Sequence, residues 1–418
     1  MKKILLVEDS KIVGKKYKDF LEKETPHTVT WVKSMQETLN LLNQTASETY
    51  LLAIVDLHLP DCEPGDAVDE TIKHNIPTIA FSSDTTEETQ KRLWAKGIID
   101  YVSKAEDYSF DHIAFMVERI KNNRHTKVLV ADDSKMFRKI LCNLLQLHQF
   151  QIFEASNGQE ALDIIKKEGD IKLLITDCEM PVMDGFKLIR EARKIQRKEY
   201  MAIIGISSTG KNELSARLIK AGANDFIIKQ SFLKEEFFCR VNQCISALEN
   251  LEKVREAAIK DFLTGLYNRR YFLDVGAKYL SNALRHEQPI VCAMLDIDHF
   301  KNVNDNYGHD VGDIVIKHVS QILQESFRKS DIVSRFGGEE FCIHAPNMNK
   351  EDAEKIFERI RKTIEESSIT TEKGEEVAIT ISIGVTTEPK ERLHDMVKVA
   401  DELLYEAKDG GRNNVVMN

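Results

Sequence analysis

Short, uninterrupted apolar runs punctuate the first 230 or so residues of the chain. Such runs, four to six residues long and rich in Ile, Val and Leu, read as strands buried on both faces. Stretches of helical character, such as residues 87–96 and 213–221, lie between them. Strands alternating with helices predict parallel sheets in doubly wound α/β domains. The runs also repeat. KILLVEDS at 3–10 returns as KVLVADDS at 127–134, and LLAIVD at 51–56 returns as LLITD at 173–177. TIAFSS at 78–83 returns as IIGISS at 203–208, and DYVSK at 100–104 as DFIIK at 225–229. The offset stays between 121 and 125 residues. That is two copies of one domain, too long a period for a solenoid.

A different pattern follows. Residues 234–260 contain no Pro or Gly. Val241, Cys244, Leu248, Leu251 and Ala258 fall near three- and four-residue spacing, with Val254 adjacent. This predicts an amphipathic helix, either a stalk or a surface helix packed on its own domain. Beyond it, VCAMLDID at 291–298 reads as a strand ending in acids. RFGGEEF at 335–341 places two glycines between strand-like runs at 332–334 and 341–344, a hairpin signal. The length of 418 residues fits about three domains.

Composition narrows the function. The chain carries 58 Lys and Arg against 68 Asp and Glu, a net charge of −10, so nucleic-acid binding is not expected. At 42% hydrophobic and 30% charged, the chain is of folded type. No apolar run approaches the roughly 18 residues of a membrane span, and the N-terminal run is shorter than the roughly 7–15 residues of a signal peptide. Seven cysteines without a CxxC pair read as free thiols. A cytoplasmic protein with no membrane insertion is expected.

The repeated acids, Ser and Lys all fall at predicted strand ends, where open α/β folds build their sites. Clustered carboxylates repel one another unless a hard cation such as Mg²⁺ sits among them. A strand-end Asp beside such a cation can attack a phosphoryl group, while Lys and Ser contact it. Any one of these acids taken singly reads better as a solvated loop residue or helix cap; five positions recurring twice in order favour the site. In the third segment, Asp296 and Glu339 on neighbouring strands would suit a divalent cation. Lys301, Lys408 and Arg412 could bind a polyphosphate, and Asn304 and Asp313 a base edge, with guanine favoured by the carboxylate. Gly337 and Gly338 let a substrate approach the backbone.

Residues 1–122 and 126–247 resemble the receiver domain of bacterial two-component response regulators, a flavodoxin-like fold. The resemblance implies that Glu8, Asp9 and Asp56, and again Asp132, Asp133 and Asp177, bind metal, with Asp56 and Asp177 as phosphoacceptors. It makes Ser82, Lys104 and Tyr101, and Ser207, Lys229 and Phe226, the switch residues. Two departures stand out. Ala105 and Gln230 replace the usual Pro after the lysine, and the loop after Asp56 reads LHLPDCEPG at 57–65.

Residues 261–418 resemble the GGDEF-type diguanylate cyclase domain in its GGEEF variant, an α/β fold related to nucleotidyl cyclases. The resemblance implies synthesis of cyclic di-GMP from two GTP, with Mg²⁺, or Mn²⁺ in its place, on Asp296, the Ile297 carbonyl and Glu339. Glu339, Glu340 and Lys301 would be catalytic. His299, Phe300, Lys301, Asn304, Asp313, Gly337, Gly338, Lys408 and Arg412 would bind substrate. Arg328 and Asp331 match an RxxD product-inhibition site, with Arg359 as third member; a surface salt bridge is the plainer reading of that pair. The expected partners are GTP, cyclic di-GMP, a sensor histidine kinase or phosphotransfer protein, and a second copy of the chain. The rival expectations are an inactive cyclic di-GMP receptor and a phosphorelay scaffold.

Overall fold

The computed structural model describes residues 2–418 except 85, 105–108, 209–211, 371–373 and 375. Ala105 therefore lies outside the described residues. The chain forms two compact units, residues 1–250 and 251–418.

The first unit holds two parallel five-stranded sheets. One is built from β1 (Lys3–Val7), β2 (Val29–Val32), β3 (Tyr50–Asp56), β4 (Thr78–Ser82) and β5 (Asp100–Ser103), in the order β2-β1-β3-β4-β5. The other is built from β6 (Lys127–Ala131), β7 (Gln151–Ala155), β8 (Leu173–Asp177), β9 (Ala202–Ser207) and β10 (Asp225–Ile228), in the same order counted from its own first strand. This is the flavodoxin-like order expected from the repeat. Helices cover both faces, so β3 and β4 are buried at every position.

The serines after the paired acids have a local role as well. Ser10 accepts from the Val13 N–H and Ser134 from the Phe137 N–H, each capping the next helix. The unusual first loop still closes as the second one does. The Gly65 N–H donates to the Leu57 carbonyl, and the Gly185 N–H to the Cys178 carbonyl, both 3.0 Å and both one residue past the central Asp. Gly65 adopts φ 95°, a left-handed value that explains its residue type.

The two receivers dock on each other within this unit. Arg119, only 4% exposed, grips Glu249 through two bonds of 3.0 and 2.9 Å, and Ser246 at 2.8 Å. Trp94 donates its indole N–H to Glu235 and stacks near Phe238. His148 stacks on Phe238 with centroids 3.5 Å apart and is 1% exposed. Burial pushes the His148 imidazole down to about 3. The folded state thus refuses a proton that the unfolded chain takes up below about 6.5. Stability is lost as pH falls through that window, by about 2 kcal/mol at pH 5 relative to neutrality. Equilibrium unfolding of wild type and His148→Phe at pH 7 and pH 5 checks this. The variant keeps the stacking and is expected to lose that part of the acid sensitivity.

Helix Lys234–Ile259 is the last helix of the second receiver. It buries Phe237, Phe238, Val241, Cys244, Ile245 and Leu248. Beyond them Leu251 and Val254 are 51% and 68% exposed. The first part of the helix therefore packs on its own domain, as one of the two sequence readings has it.

The second unit centres on a six-stranded sheet. Its strands are β11 (Tyr267–Asn268), β12 (Ile290–Ile297), β13 (Ile332–Gly337), β14 (Glu340–Pro346), β17 (Ile381–Thr386) and β18 (Val415–Met417). β15 (Ser368–Thr370) and β16 (Glu376–Ala378) form a separate ribbon. β12 lies between β14 and β17 and runs antiparallel to both. The expected hairpin is β13–β14, with strands longer than the sequence suggested. Among the described residues no helix is long and apolar enough to cross a membrane.

Candidate functional site

Each receiver gathers its acids at the carboxyl ends of its sheet. Glu8, Asp9 and Asp56 form one group, and Asp132, Asp133 and Asp177 the other, with ligand oxygens within 4.8 Å of one another. In each group two acids are buried and one is exposed. A lysine bridges the buried pair. Lys104 Nζ lies 2.7 Å from Glu8 and 2.6 Å from Asp56. Lys229 Nζ lies 2.7 Å from Asp132 and 2.6 Å from Asp177. Burial raises the carboxyl pKa of Glu8 and of Asp132, and the lysines only partly counter it. Burial also works against the charge on Lys104 and Lys229, but the two carboxylates beside each outweigh it and leave both pKa values raised. These hard oxygen donors, crowded and short of positive charge, fit Mg²⁺.

The residues expected to act as switches lie on neighbouring strands, Ser82 and Tyr101 on β4 and β5 and Ser207 and Phe226 on β9 and β10. Ser82 is buried and accepts from the Asp84 N–H at 3.0 Å. Ser207 is buried at the end of β9. Tyr101 and Phe226 are half-buried, each packed against the core of its own receiver. The Arg240 guanidinium lies over the Phe226 ring.

In the second unit, strand register decides the site. Asp296 pairs across the ladder with Glu340, while Glu339 occupies the turn just before β14. The sequence reading paired Asp296 with Glu339; the residue facing it across the strands is Glu340. Glu339 still acts on Asp296 through its charge. Lys408 reaches Asp296 Oδ1 at 2.8 Å. Burial raises the Asp296 pKa, Lys408 lowers it, and Glu339 and Asp298 raise it further. Glu340 is raised too, first by burial and then by Asp296 and Asp401. Among the described residues, groups of three acids with oxygens within 4.8 Å of one another occur in the first unit and not here, where the carboxylates act on Asp296 through their charge.

Lys301 and Asn304 sit on helix Phe300–Tyr307, and Asp313 on helix His309–Ser326. Gly308 joins the two helices at φ 88°. A Cβ at Gly312 would collide with Asn304 Oδ1, so this glycine sets where the Asn304 amide lies. Gly312→Ala is therefore expected to move that amide at little cost in stability, because the end of a side chain can give way. The Asn304 side-chain NH2 resonances of the two proteins, compared by NMR, check it. His299 caps the first helix in a left-handed conformation. Phe300 is buried, its ring within the core of this unit. Gly338 and Arg412 are exposed, and Gly337 is half-exposed.

The RxxD residues form a turn between helix His309–Ser326 and β13. Asp331 is buried, and its carboxylate accepts the Arg328 backbone N–H at 2.9 Å. The plain salt-bridge reading is thus replaced by a backbone clamp, with Arg328 itself exposed. Arg359 is exposed on helix Lys350–Glu366.

Arg335 was missed from the sequence. It donates to the Gly338 carbonyl at 2.9 Å and to Asp261 at 3.1 Å, tying the hairpin turn to the start of this unit. Its place beside the glycine pair was the available signal.

The response regulator receiver domain family matches residues 4–112 and 128–242. The family described as diguanylate cyclase, GGDEF domain, matches residues 258–414. The response regulator PleD of Caulobacter vibrioides is 31% identical over 300 residues, covering 69% of this chain and 65% of PleD. Diguanylate cyclase A of Treponema denticola is 37% identical over 174 residues, covering 40% of this chain and 47% of that protein. The matched region thus spans just under two thirds of the first relative and about half of the second. A solved chain described as a two-component system response regulator/GGDEF domain protein is 33% identical, with a TM-score of 0.55; it is covered completely and covers 60% of this chain.

Proposed function

This chain belongs to the response regulators, with two receiver domains followed by a GGDEF domain, and from that premise we propose that it is a diguanylate cyclase. It joins two GTP into cyclic di-GMP and releases two pyrophosphates. Phosphorylation of a receiver aspartate switches the activity on, and product bound at Arg328 and Asp331, with Arg359, restrains it.

The observation that carries this reading is the β12–β14 register. It sets Asp296 against the Gly337–Glu340 turn, within reach of Lys408. Magnesium held by Asp296, the Ile297 carbonyl and Glu339 would offset charge on the triphosphate and lower the pKa of the attacking 3′-hydroxyl. The protein groups supply positioning. Asn304 and Asp313 hold the guanine edge. Lys301, Lys408 and Arg412 hold the phosphates, and Lys408 exchanges its Asp296 partner for a phosphate oxygen as substrate enters. Each GTP attacks the α-phosphate of the other, so the cyclase domains of two copies must meet.

The receivers supply the control. Asp56 or Asp177 attacks the phosphoryl group of a partner phosphohistidine; an O–P bond forms as the N–P bond breaks and the imidazole leaves. The phosphoryl group carries about −1.5 to −2 in place of the single charge of the carboxylate it joins, and it draws Lys104 or Lys229 off its present carboxylates. Ser82 or Ser207 and the nearby aromatic follow, and the altered receiver face pairs with a second copy.

The test is GTP turnover by purified protein with Mg²⁺, with and without beryllofluoride, the product being identified by mass. Cyclic di-GMP that increases with beryllofluoride is the expected result. No product at any protein concentration would overturn the cyclase reading, and an equal rate in both conditions would overturn the control.

A further inference from the structure

The strand that carries Asp296 ends in a second acid, Asp298, which none of the proposed chemistry uses. It is 5% exposed, yet its carboxylate is fully engaged. Oδ1 accepts from Ser382 Oγ at 2.6 Å. Oδ2 accepts from Thr380 Oγ1 at 2.8 Å and from the Asn413 backbone N–H at 2.9 Å. Three donors from two distant segments converge on one carboxylate.

The Asn413 bond is the informative one. Helix Leu393–Asp409 carries Lys408 in its last turn. The chain then turns through Gly410, Gly411, Arg412 and Asn413 before entering β18. Arg412 and Asn413 both adopt left-handed backbone, φ 65° and 45°. Consecutive non-glycine residues rarely hold that conformation without external support. Here the support is visible. The Arg412 N–H donates to the Ala407 carbonyl, and Asp298 takes the next N–H. The Asn413 side chain accepts from Arg361 at 2.8 Å and donates to Glu365 at 2.7 Å. The turn is thereby fastened to the end of β12.

We propose that Asp298 is a positioning residue: it pins the Gly410–Asn413 turn to the metal-binding end of β12, so that Lys408 and Arg412 meet the triphosphate of a nucleotide whose cation Asp296 holds. It touches neither substrate nor cation. With both oxygens committed to three donors, it has little capacity left for a ligand, which separates its role from that of Asp296 two residues earlier. The proposal deepens the cyclase reading and rests on it.

Asp298→Asn is the first test. The amide keeps the shape but turns one acceptor into a donor that faces donors. Binding of 3′-deoxy-GTP with Mg²⁺ is measured by calorimetry on the full chain, alongside KM and kcat for cyclic di-GMP synthesis. The expected result is a loss of analogue affinity and a rise in KM of roughly tenfold or more, with kcat changed less than about threefold. Unchanged affinity and KM would overturn the proposal, as would a fall in kcat alone. Should Asp298→Asn fail to fold, Ser382→Ala removes only the 2.6 Å bond that orients the carboxylate. It should shift KM in the same direction by about threefold, and no shift would overturn the proposal. Wild type that binds the analogue but makes no product would sink the cyclase reading alone, because the affinity ratio still reports on Asp298. Wild type that does not bind the analogue would overturn both.

Discussion

Asp296→Asn is expected to lower GTP turnover by roughly 10³-fold or more, because it removes a cation ligand at the point where charge develops. The same change should not cost stability. The Asp296 pKa is raised in the folded chain, since burial and the charges of Glu339 and Asp298 outweigh the bond to Lys408. The sign follows from linkage. An acid with a raised folded pKa binds its proton more tightly in the folded state, so folding is penalised once pH exceeds the unfolded value of about 3.9. At neutral pH the ionised Asp296 is thus a strained group kept for function. The variant should melt at or above the wild-type temperature, by calorimetry, while pyrophosphate release falls to the assay floor. A much lower melting temperature would assign Asp296 to the core instead, and undiminished turnover would remove it from the site.

The second large effect is expected at the contact between the receivers. Arg119→Ala leaves Glu249 and Ser246 without the guanidinium that now holds them; the arginine is buried and Glu249 is 31% exposed. Losing these charge-assisted bonds, with the remaining carboxylate within reach of water, costs about 2 kcal/mol. Denaturant unfolding followed by tryptophan fluorescence should show the loss, because Trp94 lies in the same contact. A functional consequence accompanies it. Glu249, Ser246 and Phe238 belong to helix Lys234–Ile259, so the first receiver touches the element that leads out of the second. If Asp56 acts through this contact, Arg119→Ala and Asp56→Asn should share one phenotype: basal turnover retained and most of the beryllofluoride response lost. A response intact in both variants would assign control to Asp177 alone.

Much of this molecule was legible along the chain. The repeat, the strand-end acids and the lysines at 104 and 229 follow from periodicity and spacing, because a buried strand must be apolar throughout and its polar chemistry must wait for its end. The glycine pair at 337–338 likewise announces a tight turn between strands. The loop after Asp56 looked divergent, yet Gly65 closes it as Gly185 closes its counterpart. A glycine N–H at the right carbonyl mattered more than the letters between, and only Gly65 needs left-handed backbone to place it.

Other features had no local signal. The partner of a strand-end acid depends on register, and register is set by how whole sheets pair. That is why Glu340, not Glu339, faces Asp296. Amphipathic spacing marks one side of helix Lys234–Ile259 as apolar but cannot say what covers it; packing buries Val241 and Leu248 and leaves Leu251 and Val254 exposed. The Asp298 network joins residues 82 to 115 positions apart, and Arg119 meets Glu249 across 130. Apolar patterning is a property of each segment alone and can be read along the chain. Hydrogen-bonded and ionic partners are chosen when segments pack, since a buried charge accepts whichever donor the fold delivers, and only the tertiary structure names it.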